Sequence, residues 1–259
     1  MNNLGRYTLI TGGSEGIGLE LAKLFAADKN NLIIAAKNKY KLENIKSSLE
    51  KEYGIRVEVI ECDLSVDKAC EKIIEFVEEK NFIVDNLINN AGIGSFGFFH
   101  ESESGFEEKL INVNIISLTV LTRYFIKHMA SRKEGGILNV ASTAAFIGGP
   151  KMAIYYSSKA YVLSLTEALH DEVKSLGVRV SCLCPGPVKT SFQEKSGIKK
   201  SEVSRKYLMD ASIVAKEAYL KFFKGKVIII PGHKNKLLIF LNKLIPRALA
   251  RWVILKNNS

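Results

Sequence analysis

A phenol and an ammonium four residues apart on a helix can work as a unit, and "YYSSKAYVLSLTEAL" holds such a pair in Tyr155 and Lys159. The i, i+4 spacing puts both side chains on one helical face. Tyrosine near its usual pKa of ~10 is a poor proton donor and a poor base at neutral pH, and a neighbouring cation favours its phenolate. The pair therefore reads as proton transfer to or from a substrate oxygen. Tyr156 has Ala160, not a cation, four positions on, and is assigned to packing. A solvent-facing helix pair has the same spacing, so the motif gains weight only if other elements bring a second reactant to it.

That reactant is suggested by "LITGGSEGIGLELAKLF", Leu9 to Phe25, where Gly12, Gly13, Gly16 and Gly18 separate an apolar run from an amphipathic one. Glycines cluster where a strand turns sharply into a helix and where backbone must approach a pyrophosphate closely. The helix that follows adds free N–H groups and the positive end of its dipole.

The elements that would position both motifs alternate along the chain. Strands are expected at "YTLIT", "NLIIAA", "VEVIECDL", "NLINNAG", "GGILNVAS", "VRVSCLCPG" and "KVIIIPG". Helices fall between them, including one from about Phe106 to Ala130 and one from about Ile154 to Ser175. This alternation predicts an α/β fold with a doubly wound parallel sheet flanked by helices, whose strand C-terminal ends line the ligand crevice. Asn89-Asn90-Ala91-Gly92, Ser142 and Pro185-Gly186 end successive strands and belong on the same edge as the glycine turn.

The order and spacing of Thr11-Gly-Gly-Ser-Glu-Gly-Ile-Gly18, Asn89-Asn-Ala-Gly92, Asn114, Ser142, Tyr155-x-x-x-Lys159 and Pro185-Gly186 resemble short-chain dehydrogenases/reductases over nearly the whole chain. The resemblance implies a Rossmann-type single domain that moves a hydride between a nicotinamide cofactor and a carbonyl or secondary alcohol. It implies Tyr155 as general acid/base, Lys159 as its electrostatic partner and ribose ligand, Ser142 as holder of the substrate oxygen, and Asn114 as support for a water-mediated proton path. Cofactor contacts are implied for Gly12, Ser14, Gly16, Ile17, Gly18, Asn90, Ala91, Gly92, Tyr155, Lys159, Pro185, Gly186, Val188 and Thr190. Cofactor choice turns on "AAKN" at the end of the second strand: Ala36 stands where a carboxylate would mark NAD, and Lys37 stands where a base marks NADP. NADP is favoured over NAD, although Glu15 occupies a position where some NADP-preferring relatives carry a second base. Asp63 resembles the residue that contacts the adenine, and a helix-capping role fits it equally well.

Composition sets the remaining bounds. At 259 residues with 47% hydrophobic and 25% charged residues, the chain suits one soluble domain, and its uninterrupted apolar runs are far shorter than a spanning helix, so a cytoplasmic location is expected. Four dispersed histidines and four cysteines without paired spacing point to no metal site, and the cysteines read as core thiols. The net charge of +10 is concentrated from Lys195 onward, where it reaches +12, leaving the preceding body at −2 and disfavouring nucleic acid as a partner. Residues 1–233 form the expected cofactor-binding and catalytic domain, with a substrate lid at about 190–207. Phe96, Phe98 and Phe99 suggest an apolar wall, and with it a lipid-like substrate. The basic amphipathic segment 234–259 is open to two readings: helices packed on the body or on another copy in a homo-oligomer, or a surface for an anionic membrane through residues 234–256, divided in two at Pro246. A nucleotide-binding regulatory or scaffold protein of the same fold is the alternative to an enzyme.

Overall fold

The computed structural model describes residues 5–197 and 208–257. Its first half alternates strictly: β1 (Arg6–Thr11), α1 (Gly16–Ala27), β2 (Asn31–Ala36), α2 (Lys39–Tyr53), β3 (Val57–Glu61), α3 (Ala69–Glu79) and β4 (Ile83–Asn89). Then follow α4 (Phe106–Ile111), a π-helical segment (Asn112–Ser117), α5 (Leu118–Arg132), β5 (Gly135–Val140), α6 (Ala153–Val173) and β6 (Val178–Leu183). The rest comprises β7 (Val188–Lys189), α7 (Phe192–Lys195), β8 (Met209–Asp210), α8 (Ala211–Phe223), β9 (Ile228–Ile229), α9 (His233–Leu244) and α10 (Arg247–Asn257). Among the described residues, seven parallel strands form one sheet in the order β3-β2-β1-β4-β5-β6-β9, and β7 pairs with β8 outside it.

Helices on both faces explain why β2 and β5 are buried at every position, as a parallel sheet requires. Successive residues feed opposite cores. Leu9, Ile33, Leu87 and Ile137 join the side chains of α3 and α5, whereas Ile10, Ile34, Ile88 and Leu138 join those of α1, α2 and α8. Phe222 of α8 lies so close to β5 that a Cβ on Gly136 would fall 2.5 Å from its ring. At the sheet's lower edge Arg6 donates to both oxygens of Asp85, at 2.6 and 2.7 Å, tying β1 to β4.

Because β2 and β4 lie on opposite sides of β1, the chain reverses its direction of winding between β1 and β4, and a crevice opens above their C-terminal ends. The helix expected as one piece over Phe106–Ala130 is continuous but interrupted by the π-helical turn around Asn114, a wider register that often marks a functional position. By length and composition Phe106–Arg132 could span a bilayer, yet it is here a helix whose inner face packs against the sheet. All four cysteines are buried free thiols, with Cys182 and Cys184 Sγ atoms 3.6 Å apart. The C-terminal helices break at Ile245-Pro246, at the residue expected to divide them.

Candidate active site

The glycine turn is built by the strand beside it. Thr11 Oγ1 accepts from the backbone N–H groups of Asn90 and Ala91, both at 3.1 Å, and the Asn90 amide donates to the carbonyls of Thr11 (3.0 Å) and Gly12 (2.9 Å). This clamp locks the end of β1 to the end of β4. Gly12 has φ +63° and Gly18 leaves no room: a Cβ at Gly18 would sit 2.4 Å from both Asn90 Nδ2 and the Gly12 carbonyl. Asn90 was expected as a cofactor contact; its amide is committed to the turn itself. Val188 likewise points into the core below α8, so only its backbone faces the crevice edge. Ile17 is packed at the rim of that core, and Thr190 stands over Gly16, where a Cβ would approach it to 3.0 Å.

Around the crevice the remaining residues converge. Ser142 follows β5, and its Oγ accepts from Ala144 N at 3.1 Å and lies 3.5 Å from the Pro185 carbonyl, which also receives Thr143 N–H at 2.9 Å. Asn114 is pinned to the loop after β4: Oδ1 accepts from Ile93 N at 2.9 Å, while Nδ2 donates to Ile93 O at 2.9 Å and to Ser158 Oγ at 3.0 Å. Ser158 in turn donates to Tyr155 O at 2.7 Å, so the π-helical turn and α6 are joined beside Tyr155 and Lys159. Lys159, 4% exposed, donates to Val140 O at 2.9 Å, and a Cβ on Gly92 would lie 3.2 Å from its Nζ.

One expectation about this pair needs correction. Lys159 Nζ lies over the Tyr155 ring, 5.8 Å from its centre. Burial pushes the Tyr155 phenol up to about 12, with Ser142 near enough to offset part of the rise, and the ammonium does not bring it down. Burial also lowers Lys159 to about 8. Both shifts have one cause: a dry site penalises either charge. Tyr156 packs over Gly149 and beside Tyr155, as its lack of a cationic partner suggested.

Residues 6–201 match the short chain dehydrogenase family. The chain belongs to the short-chain dehydrogenase/reductase family. It is an oxidoreductase, and its sheet is the Rossmann-type single-domain sheet of that family. A very-long-chain 3-oxoacyl-CoA reductase-like protein of Arabidopsis thaliana is 32% identical over 95% of this chain and 79% of its own length. A short-chain dehydrogenase of Sphingobium yanoikuyae, solved with NADPH, superposes with a TM-score of 0.82 at 29% identity, covering 89% of each chain. A relative from Burkholderia phymatum, solved with NAD, superposes with a TM-score of 0.81 at 25% identity over 93% of each chain. A nicotinamide cofactor is thus common to such relatives, in both its phosphorylated and unphosphorylated forms.

The short-chain dehydrogenase/reductase crevice of this chain fits that group. No side chain caps the N-terminus of α1, so its first N–H groups are left for an anion, and Gly12 and Gly16 keep the turn before it bare of side chains. At the adenosine end, Lys37 Nζ pairs with Asp63 Oδ1 at 2.9 Å, and the same oxygen accepts from Ser65 N and Oγ at 2.9 and 2.7 Å. Asp63 therefore serves its own turn as well as Lys37.

Sequence reasoning missed two features. Glu15, considered only for its charge, gathers Lys195, Ser191 (2.8 Å) and Lys41 (3.0 Å), and these contacts overcome the burial that opposes its ionisation and hold it at about 2. It ties the glycine turn to α2 and to the first part of the expected lid; residues 198–207 of that lid lie outside the described residues. Phe192 packs between Gly94 and the Tyr155 ring, 5.6 Å between ring centres, and a cleft of about 480 Å³ opens on the other side of Gly94. Gly94, Phe96, Phe98, Phe99, Phe106, Leu110 and Ile154 line that cleft, beside Glu101, Glu103 and Glu107. A lone phenylalanine in a polar segment was the only available signal for Phe192.

The buried ammonium has a measurable consequence. The folded chain holds Lys159 at about 8 against 10.5 unfolded, so between these values the unfolded state binds more protons and stability rises with pH. Without cofactor, Lys159→Met should be more stable than wild type below pH 8, by on the order of 3 kcal/mol before loss of the Val140 hydrogen bond. That advantage should shrink as pH rises from 8 to 10.5. Urea unfolding of both proteins across this range checks it, and a pH-independent difference would remove the assignment.

Proposed function

We propose that this chain is an NADP-preferring reductase of an apolar, lipid-like ketone or aldehyde, with the corresponding alcohol as product. The observation that carries the reading is a buried, protonated phenol, Tyr155, with Ser142 within hydrogen-bond reach and Lys159 over its ring, near an aromatic-lined cleft that begins at Gly94. The cleft falls within the ~300–1,000 Å³ range of small-molecule sites. The very-long-chain 3-oxoacyl reductase name of the Arabidopsis relative supports an acyl chain as the apolar part.

When bound, the nicotinamide supplies the hydride. This chain's residues manage the oxygen on which negative charge grows. Ser142 donates a hydrogen bond there, and Tyr155 gives up its proton. A phenol at about 12 is fully protonated at neutral pH, which suits a donor in the direction of reduction. Lys159 would hold the ribose, and Asn114 keeps the π-helical turn against α6 for proton resupply. The aromatic wall excludes water, and Phe192 must turn aside for a substrate to reach the phenol. Residues 1–233 are the catalytic body in this reading, the protein assembles as a homo-oligomer, as is typical of the family, and Lys37 receives the adenosine 2′-phosphate.

Two substitutions test the reading. Tyr155→Phe should lower kcat by at least ~100-fold while leaving the Kd for NADPH within about twofold, since only the proton donor is lost. Retained turnover in Tyr155→Phe would overturn the catalytic assignment; cofactor binding by wild type without turnover of any carbonyl in a broad acyl and cyclic ketone panel would favour a nucleotide-sensing role. Lys37→Ala should weaken NADPH by about 10–100-fold, the worth of a charge-assisted phosphate contact, and leave NADH nearly unchanged. Calorimetric titration of both cofactors decides it, and equal losses for the two would show Lys37 serving only Asp63.

A further inference from the structure

The two helices after the sheet carry an apolar face that no described residue covers. In α9, Leu237, Phe240, Leu241 and Leu244 follow i, i+3, i+4, i+7 and are 46–66% exposed. Ile239, on the opposite side, is buried against the body. In α10, Leu249, Trp252 and Val253 repeat the pattern at 41–52% exposure, with Ala250 buried beneath. Scattered exposed apolar residues need no explanation, but two adjoining helices with coherent apolar faces do.

The charge around these faces says what covers them. Six cations, Lys234, Lys236, Lys243, Arg247, Arg251 and Lys256, lie in the two helices, and no Asp or Glu follows Glu217 in the sequence. Lys256 Nζ stands over the face of the Trp252 ring, 4.1 Å from its centre. Docked on a second copy about a two-fold axis, this face would set cations against cations. A surface of anionic headgroups over acyl chains complements both the rim and the centre.

We infer that the α9–α10 pair is a peripheral membrane-binding surface that seats the protein on an anionic bilayer. Both helices touch loops that bound the crevice. Asn235 of α9 sits where a Cβ on Gly186 would fall, 2.5 Å from its Oδ1, and Arg251 of α10 lies 3.3 Å from the corresponding point on Gly148, in the loop leading to Tyr155. Docking therefore brings the rim of the crevice to the lipid surface. That last consequence rests on the proposed lipid-like substrate; membrane binding itself does not.

The test needs no turnover, so its failure is distinct from failure of the proposed reaction. Trp252 is the chain's sole tryptophan and reports the helix pair directly. Full-length protein mixed with vesicles of 30% phosphatidylserine in phosphatidylcholine should show a blue shift of its emission and co-sediment with the lipid. Binding should fall about tenfold or more on pure phosphatidylcholine, and likewise in 0.5 M salt. Leu241→Glu should abolish sedimentation, and if it fails to fold, Lys243→Glu with Arg247→Glu, both exposed, should weaken it about tenfold and keep the tryptophan. No blue shift and no sedimentation at low salt would overturn the inference. So would equal binding to neutral vesicles, or a dimer in analytical ultracentrifugation that Leu241→Glu dissociates while wild type ignores lipid.

Discussion

The site is organised around a cation held almost dry. Lys159 reaches one carbonyl, Val140 O, and among the described residues no carboxylate pairs with it. Burying such a charge is costly unless another partner arrives, and a lysine that gains its partner only on binding is one whose stability is traded for function. Its neighbours are constrained accordingly. Gly92 has no side chain because the ammonium occupies the space one would need, and Asn114 and Ser158 fix the helix on which the lysine stands.

The sheet makes that arrangement possible by leaving its crevice between β1 and β4, where the glycine turn and the Asn89–Gly92 segment face each other. The clamp between Thr11, Asn90 and Gly12 uses groups that a cofactor-binding reading alone would assign to the ligand. Their work is to hold two loops still, so that a nucleotide meets a preformed cradle and pays little to order it. Opposite them, Glu15 fastens the same turn to Lys41 and Lys195, and the turn is thereby tied to α2 and α7.

Much of this was legible in the chain. Strands such as "NLIIAA" and "GGILNV" announce themselves because a sheet covered on both faces needs unbroken apolar runs, and the polar residues at their ends mark the open edge. Tyr155 and Lys159 stand out by their i, i+4 spacing, but that spacing gains its weight only beside the glycine turn and the strand-end motifs. What periodicity could not show was dielectric: sequence places an ammonium four residues from a phenol, but only packing reveals that it faces the ring and that burial moves both groups away from charge. The π-helical turn at Asn114 was also hidden, since a one-residue widening leaves the helical pattern almost unchanged. Phe192 and the Glu15 contacts join residues far apart in sequence, and nothing local to either end encodes the meeting.

The most direct measurement is an NMR titration of Lys159 in protein labelled with ¹³C at lysine Cε, the resonance assigned with Lys159→Arg. Without cofactor, Lys159 should titrate near pH 8, well below the other lysines, and saturating NADPH should move that midpoint upward as the buried ammonium gains polar partners. A midpoint in the ordinary lysine range without cofactor, or one that NADPH leaves in place, would contradict an account in which a dry, waiting cation organises the site.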